Sequence, residues 1–81
     1  MDDKEILARI HEFVAEEQDL RGRYQRRELS GDEEHARLQQ LEVALDQCWD
    51  LLRQRRARQE AGENPDDAAL RPPGEVEGYL Q

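Results

Sequence analysis

Two apolar stripes of heptad spacing, separated by a single helix-start signal, constrain this chain more than any other feature. Ile6, Ile10, Phe13, Leu20 and Tyr24 follow 4-3-7-4 spacing, with Glu17 at the one polar position of the stripe. Leu38, Leu41, Leu45, Cys48 and Leu52 repeat the 3-4 period further on. This spacing places each set on one side of an α-helix as a narrow seam. Leu7 and Val14 widen the first seam, and Trp49 and Leu51 flank the second. Between the stripes, Ser30-Gly31-Asp32-Glu33 fits a capping box. In that motif the Ser hydroxyl accepts from the N3 amide and the Glu reaches back to the cap amide.

The predicted organisation is a hairpin over residues 1–61, with helix 1 at about 3–27 and helix 2 at about 31–61, followed by a tail over 62–81. Asp2 or Asp3 can cap the first helix. Gly22 weakens its last turns by roughly 1 kcal/mol relative to Ala and suggests a close approach by another segment. Gly62 suits the left-handed position that ends a helix. Two such helices with a short connection form an antiparallel pair. Antiparallel pairing sets Ile6 and Ile10 near Leu52, Phe13 near Leu45 and Cys48, Glu17 near Leu41, Leu20 near Leu38 and Tyr24 near His35.

The charges point to the same topology. Residues 1–20 carry two positive and seven negative charges, and residues 21–29 four positive and one negative. Residues 30–52 carry one positive and six negative, and residues 53–61 four positive and one negative. Each helix is therefore acidic first and basic last, and only antiparallel packing sets opposite signs together. Each surface pair contributes about 0–1 kcal/mol, so the pattern selects orientation more than it adds stability.

In the tail, Asn64-Pro65 signals a turn and Asp66-Asp67 a short helical turn. Pro72-Pro73 enforces an extended path. Val76, Tyr79 and Leu80 are out of place in a purely solvated segment. Three readings are open: a free terminus, docking on the chain's own helices, or binding to a partner.

Composition excludes several classes. The chain has 81 residues, 40% of them charged, and a net charge of -8. A net negative chain repels phosphate backbones, which weighs against nucleic-acid binding. No apolar run approaches the ~18 residues that span a bilayer. The acidic N-terminus lacks the apolar core of a secretory signal. One cysteine cannot form an internal disulfide, so a stapled secreted miniprotein is excluded. The expected location is cytoplasmic.

No catalytic constellation emerges. His11-Glu12 begins like a zinc-protease motif, but Ala15 stands where the second imidazole is needed. Asp32-Glu33-Glu34-His35 holds the acid-x-x-His spacing of bundle metal sites. It falls at the hairpin tip, where the carboxylates serve the helix dipole. Cys48 on the seam reads as a small hydrophobe. The clusters Arg21/Arg23/Arg26/Arg27 and Arg53/Arg55/Arg56/Arg58 are faced by carboxylates and read as neutralised within the molecule. No cofactor or metal is expected.

The stretches 6–11, 34–38 and 45–57, Arg71-Pro72-Pro73 and the terminal 76–81 resemble a family of short, mainly actinobacterial proteins known only as a domain of unknown function. The block around Cys48-Trp49 carries most of the likeness. The resemblance implies a stand-alone cytoplasmic protein whose tail belongs to the unit. It implies no activity, cofactor or catalytic residue.

A hairpin this small has one seam and leaves apolar surface in water. Leu7, Val14, Trp49 and Leu51, with Tyr79 and Leu80 of the tail, are therefore the expected interface residues. The expected assembly is a homodimer forming a four-helix bundle, with an unidentified protein as a further partner. The expected function is non-enzymatic: a scaffold or accessory protein acting through an apolar helical face. Alternatives are a regulator of transcription or translation machinery using the acidic tip, or a dimeric metal-binding bundle.

Overall fold

The computed structural model describes residues 1–76, with side chains through Gly74. Helix α1 spans Asp3–Gln25 and α2 spans Gly31–Glu60. They pack as a hairpin. A 3-10 turn at Pro65–Asp67 and a four-residue helix α3 at Pro73–Val76 follow, both lying against α2. The described residues contain no strand.

The helices begin where side chains can satisfy free amides. Asp2 caps α1, its Oδ1 accepting from the Glu5 amide at 2.8 Å. Ser30 caps α2, its Oγ accepting from the Glu33 amide at 3.1 Å. Glu33 returns to the cap by a different route from the one expected. Its Oε1 accepts from the Ser30 hydroxyl at 3.1 Å, closing the box through side chains. Tyr24 lies over this entry, its ring 3.8 Å from where a Cβ on Gly31 would stand.

Both helices stop through the same device. After α2, the Gly62 amide donates to the Gln59 carbonyl (3.1 Å) and the Glu63 amide to that of Arg58 (2.7 Å), with Gly62 at φ 75°. After α1, Arg27 donates to Tyr24 (3.0 Å) and Glu28 to Arg23 (2.9 Å), with Arg27 at φ 63°. These are paired Schellman closures, and the one after α1 puts a β-carbon where glycine is preferred. That left-handed stop ends α1 at Gln25, short of the expected residue 27.

The core concentrates at the open end of the hairpin. Ile6, Ile10, Cys48, Leu51 and Leu52 form a buried cluster, with Leu7, Phe13, Leu45 and Ala68 packed against it. Leu20 and Leu41 are buried nearer the tip. Each fully buried aliphatic side chain contributes about 1.5–3 kcal/mol. Two expected seam positions depart from the pattern. Tyr24 is exposed, having moved onto the tip. Glu17 is half-buried at the edge, 3.9 Å from Arg21.

Across the helices, Arg37 donates to Glu16 (Nε at 3.0 Å) and Arg55 to Asp3 (2.6 Å). The Asp3–Arg55 pair joins the acidic start of α1 to the basic end of α2, as the charge pattern requires. Gly22 admits no second backbone: a Cβ there meets the flexible Arg26 guanidinium at 3.1 Å.

Two substitutions follow from this backbone. Arg27→Gly relieves the left-handed cost and is expected to raise stability by about 0.5–1 kcal/mol. Gly22→Ala, in a helix interior, is expected to add up to about 1 kcal/mol. Thermal or urea unfolding checks both; destabilisation by Gly22→Ala would reveal packing that the helix surface does not show.

Candidate functional site

The described part of the tail is held by one stripe of α2. Gln47, Asp50 and Gln54 recur at i, i+3 and i+7, on the helix face turned away from α1. Asp50 is fully buried. Arg71 closes on it with two nitrogens, Nε donating to Oδ2 at 2.9 Å and Nη2 to Oδ1. The Gln54 amide donates to Asp50 Oδ2 and to the Ala69 carbonyl, both at 2.8 Å. Gln47 donates to the Arg71 carbonyl at 3.2 Å. Two glutamines thus take up carbonyls of the extended segment leading to Pro72-Pro73, which is paired with no sheet.

Below this strap, the side chain of Arg55 is buried and divided between two carboxylates. It donates to Asp3 at 2.6 Å and to Asp66 at 2.8 Å. Asp66 stands in the 3-10 turn, whose start is fixed by Asn64 Oδ1 accepting from the Asp66 amide at 3.0 Å. One guanidinium therefore links α1, α2 and the tail. Among the described residues, no buried side-chain nitrogen or oxygen lacks a partner. The hydrogen bonds from Arg71 hold the Asp50 carboxyl below its ordinary value, against the opposing effect of burial. Those from Arg55 do the same for Asp66.

The strap decides which side of the hairpin is covered. In an antiparallel pair, chain direction and handedness reverse together. Residues one position after the seam therefore emerge on the same side of both helices, and residues one position before it emerge on the other. Arg9, Ala44, Gln47 and Leu51 precede seam residues. They line a cavity of about 80 Å³ with Cys48, Phe13, Met1 and Leu70 of the tail. This is the tail-bearing side. The cavity is well below the ~300 Å³ of an ordinary ligand site. Leu7, Val14 and Trp49 follow seam residues and belong to the opposite side.

The expected interface residues are consequently separated. Leu51 is buried in the chain's own core, with Ala68 of the tail on the same cluster. Leu7 is half-buried against that cluster. Val14 is 40% exposed and Trp49 41%. Tyr79 and Leu80 lie outside the described residues. Asp66, Ala69 and Arg71 of the tail bond to α2, and Ala68 packs on the core cluster.

Cys48 is buried in the core cluster, and burial raises its thiol pKa although Arg9 pulls the other way. Such a thiol is a packing group rather than a nucleophile. Among the described residues no three His, Cys, Asp or Glu side chains gather as a metal would require. His11 and His35 are exposed on the helices. No described helix is long and apolar enough to cross a membrane.

The clasp residues Asp50, Gln54 and Arg71 were not singled out by sequence pattern, yet a signal existed. Asp50 and Arg71 both fall in stretches that carry the family likeness.

Fold and surface together define an all-helical hairpin closed on one side by its own C-terminal segment. The chain belongs to the family described as "Protein of unknown function (DUF2630)", which it matches over residues 2–81. It is 49% identical over 77 residues to uncharacterised proteins of Mycobacterium tuberculosis (Rv0898c) and Mycobacterium bovis (Mb0922c), covering 95% of this chain and 88% of each relative. No solved structure matches it.

Replacing Arg71 by Ala is expected to release the strap and cost about 2 kcal/mol at pH 7. This is less than the 3–5 of a fully buried pair, because about a third of the Arg71 side chain is exposed. The folded Asp50 value lies below the unfolded one, so the contribution is complete above the ordinary aspartate value of about 3.9 and fades as pH falls through the lowered one. Unfolding curves of wild type and Arg71→Ala should therefore converge below about pH 4. A gap that persists unchanged at pH 2 would rule the ion pair out as its source.

Proposed function

We propose that the protein is a cytoplasmic, non-enzymatic interaction protein that works through the uncovered side of its hairpin, with a second copy of the chain as its first partner. One observation carries this reading. The chain devotes its own tail to covering Leu51 and the neighbouring core, yet leaves Trp49 41% exposed and Val14 40% exposed on the other side. Tryptophan concentrates binding energy more than any other residue when a partner removes its surface from water. A hairpin with so small a core gains from any such cover.

A scaffold or accessory role fits the same surface. Its chemistry is burial of an indole and aliphatic side chains, flanked by charges of both signs, and it involves no group transfer.

Sedimentation velocity tests the reading directly. Wild type is expected to associate at micromolar concentrations. Trp49→Asp is expected to be monomeric at the same concentrations while keeping its helical circular dichroism, because Trp49 lies outside the intramolecular core. A Trp49→Asp protein that associates as strongly as wild type would remove this face from consideration.

A further inference from the structure

We propose that two copies of the chain pair through α2 in antiparallel register, with the two Trp49 side chains at the two-fold axis and Glu42 of each copy set against Arg56 of the other. This deepens the interaction role proposed above and rests on it.

The second stripe of α2 supplies the register. One position after Leu41, Leu45, Cys48, Leu52 and Arg55, α2 carries Glu42, Asp46, Trp49, Arg53 and Arg56. Their spacing is 4-3-4-3, a heptad seam of its own. Glu42, Trp49 and Arg56 are exposed. Neither Glu42 nor Arg56 forms an ion pair with another described residue. The stripe is thus acidic before the indole and basic after it. Glu42 and Arg56 stand seven residues to either side of Trp49, about 10 Å along the helix and within about 20° of the same line.

A stripe with opposite charges mirrored about a central residue has one self-complementary arrangement. Parallel association sets acid on acid and base on base. Antiparallel association about Trp49 sets Glu42 against Arg56 twice, once on each side of the axis. Asp46 and Arg53 lie between them with the same polarity. A two-fold interface must be isologous, so a patch complementary to its own rotated image is what such a contact requires. Leu7 and Val14, on the same side of α1, extend the apolar centre. The apolar middle supplies affinity, and the charges fix direction and register.

Within one chain, Glu42 and Arg56 are fourteen residues and about 21 Å apart, beyond the ~8 Å Debye length at physiological salt. Any coupling between them is therefore intermolecular. Sedimentation equilibrium on four proteins reads it: wild type, Glu42→Arg, Arg56→Glu and the double variant. Each single change puts two like-charge pairs into the dimer and is expected to weaken association about tenfold at low salt. The double variant exchanges the signs and is expected to return to within about threefold of wild type. Circular dichroism of all four at matched concentration confirms that helicity is unchanged. A double variant as weak as the worse single, or singles that associate like wild type, would overturn the register while leaving self-association intact. A wild type that stays monomeric to several hundred micromolar would overturn both.

Discussion

A carboxylate removed from water must be met by charge and hydrogen bonds, and Asp50 imposes that requirement on the whole molecule. It lies on the side of α2 turned away from α1, where the hairpin supplies the Gln54 amide and the tail supplies the bonded cation. Its partner is Arg71, twenty-one residues later. Bringing Arg71 to Asp50 draws the intervening chain back along α2. The rest of the docking follows: Gln54 and Gln47 take the carbonyls of Ala69 and Arg71, Arg55 takes Asp66, and Ala68 reaches the core cluster. Undocking would expose apolar surface and would also hydrate a buried pair, so the strap is retained for two independent reasons.

That dependence explains which parts of the structure were legible in the sequence. The hairpin follows from local signals that act over one or two turns: the 3-4 spacing, the Ser30 cap, Gly62 and the charge polarity. Each has a single cheap solution, and antiparallel packing satisfies all of them together. The strap follows from no local signal. A heptad reading assigns Asp50 to a solvated face, because charged residues are rarely buried. It becomes a core position only once Arg71 is beside it, a pairing that spacing along one helix cannot reveal. Leu51 was misplaced for the same reason. It flanks the seam between the helices, and its cover comes from a segment with no apolar period. The stop at Arg27 was hidden because its left-handed conformation is carried by a residue that rarely adopts one.

The docked tail gives the hairpin two unlike sides. On one, main-chain carbonyls of the extended segment accept from side-chain amides, and Leu51 beneath is buried. On the other, Leu7, Val14 and Trp49 remain at the surface between charged residues. An isolated two-helix layer would present two comparable apolar sides and could stack indefinitely. With the tail on one side, the proposed dimer would use the other, and a two-fold contact there would close after two copies.

The same charge ordering acts at two levels. Within the chain, acidic-first and basic-last helices favour the antiparallel hairpin, realised where Asp3 meets Arg55. Any second helix of the same polarity is also complementary when it runs antiparallel, and the second stripe of α2 repeats that polarity around Trp49. Individual exposed pairs are worth too little to hold two molecules together. They do penalise every arrangement that aligns like charges, whereas the indole is indifferent to direction. In the proposed dimer, affinity and orientation would therefore come from different residues: Trp49 would reward burial in any register, and Glu42 and Arg56 would make one register better than the others.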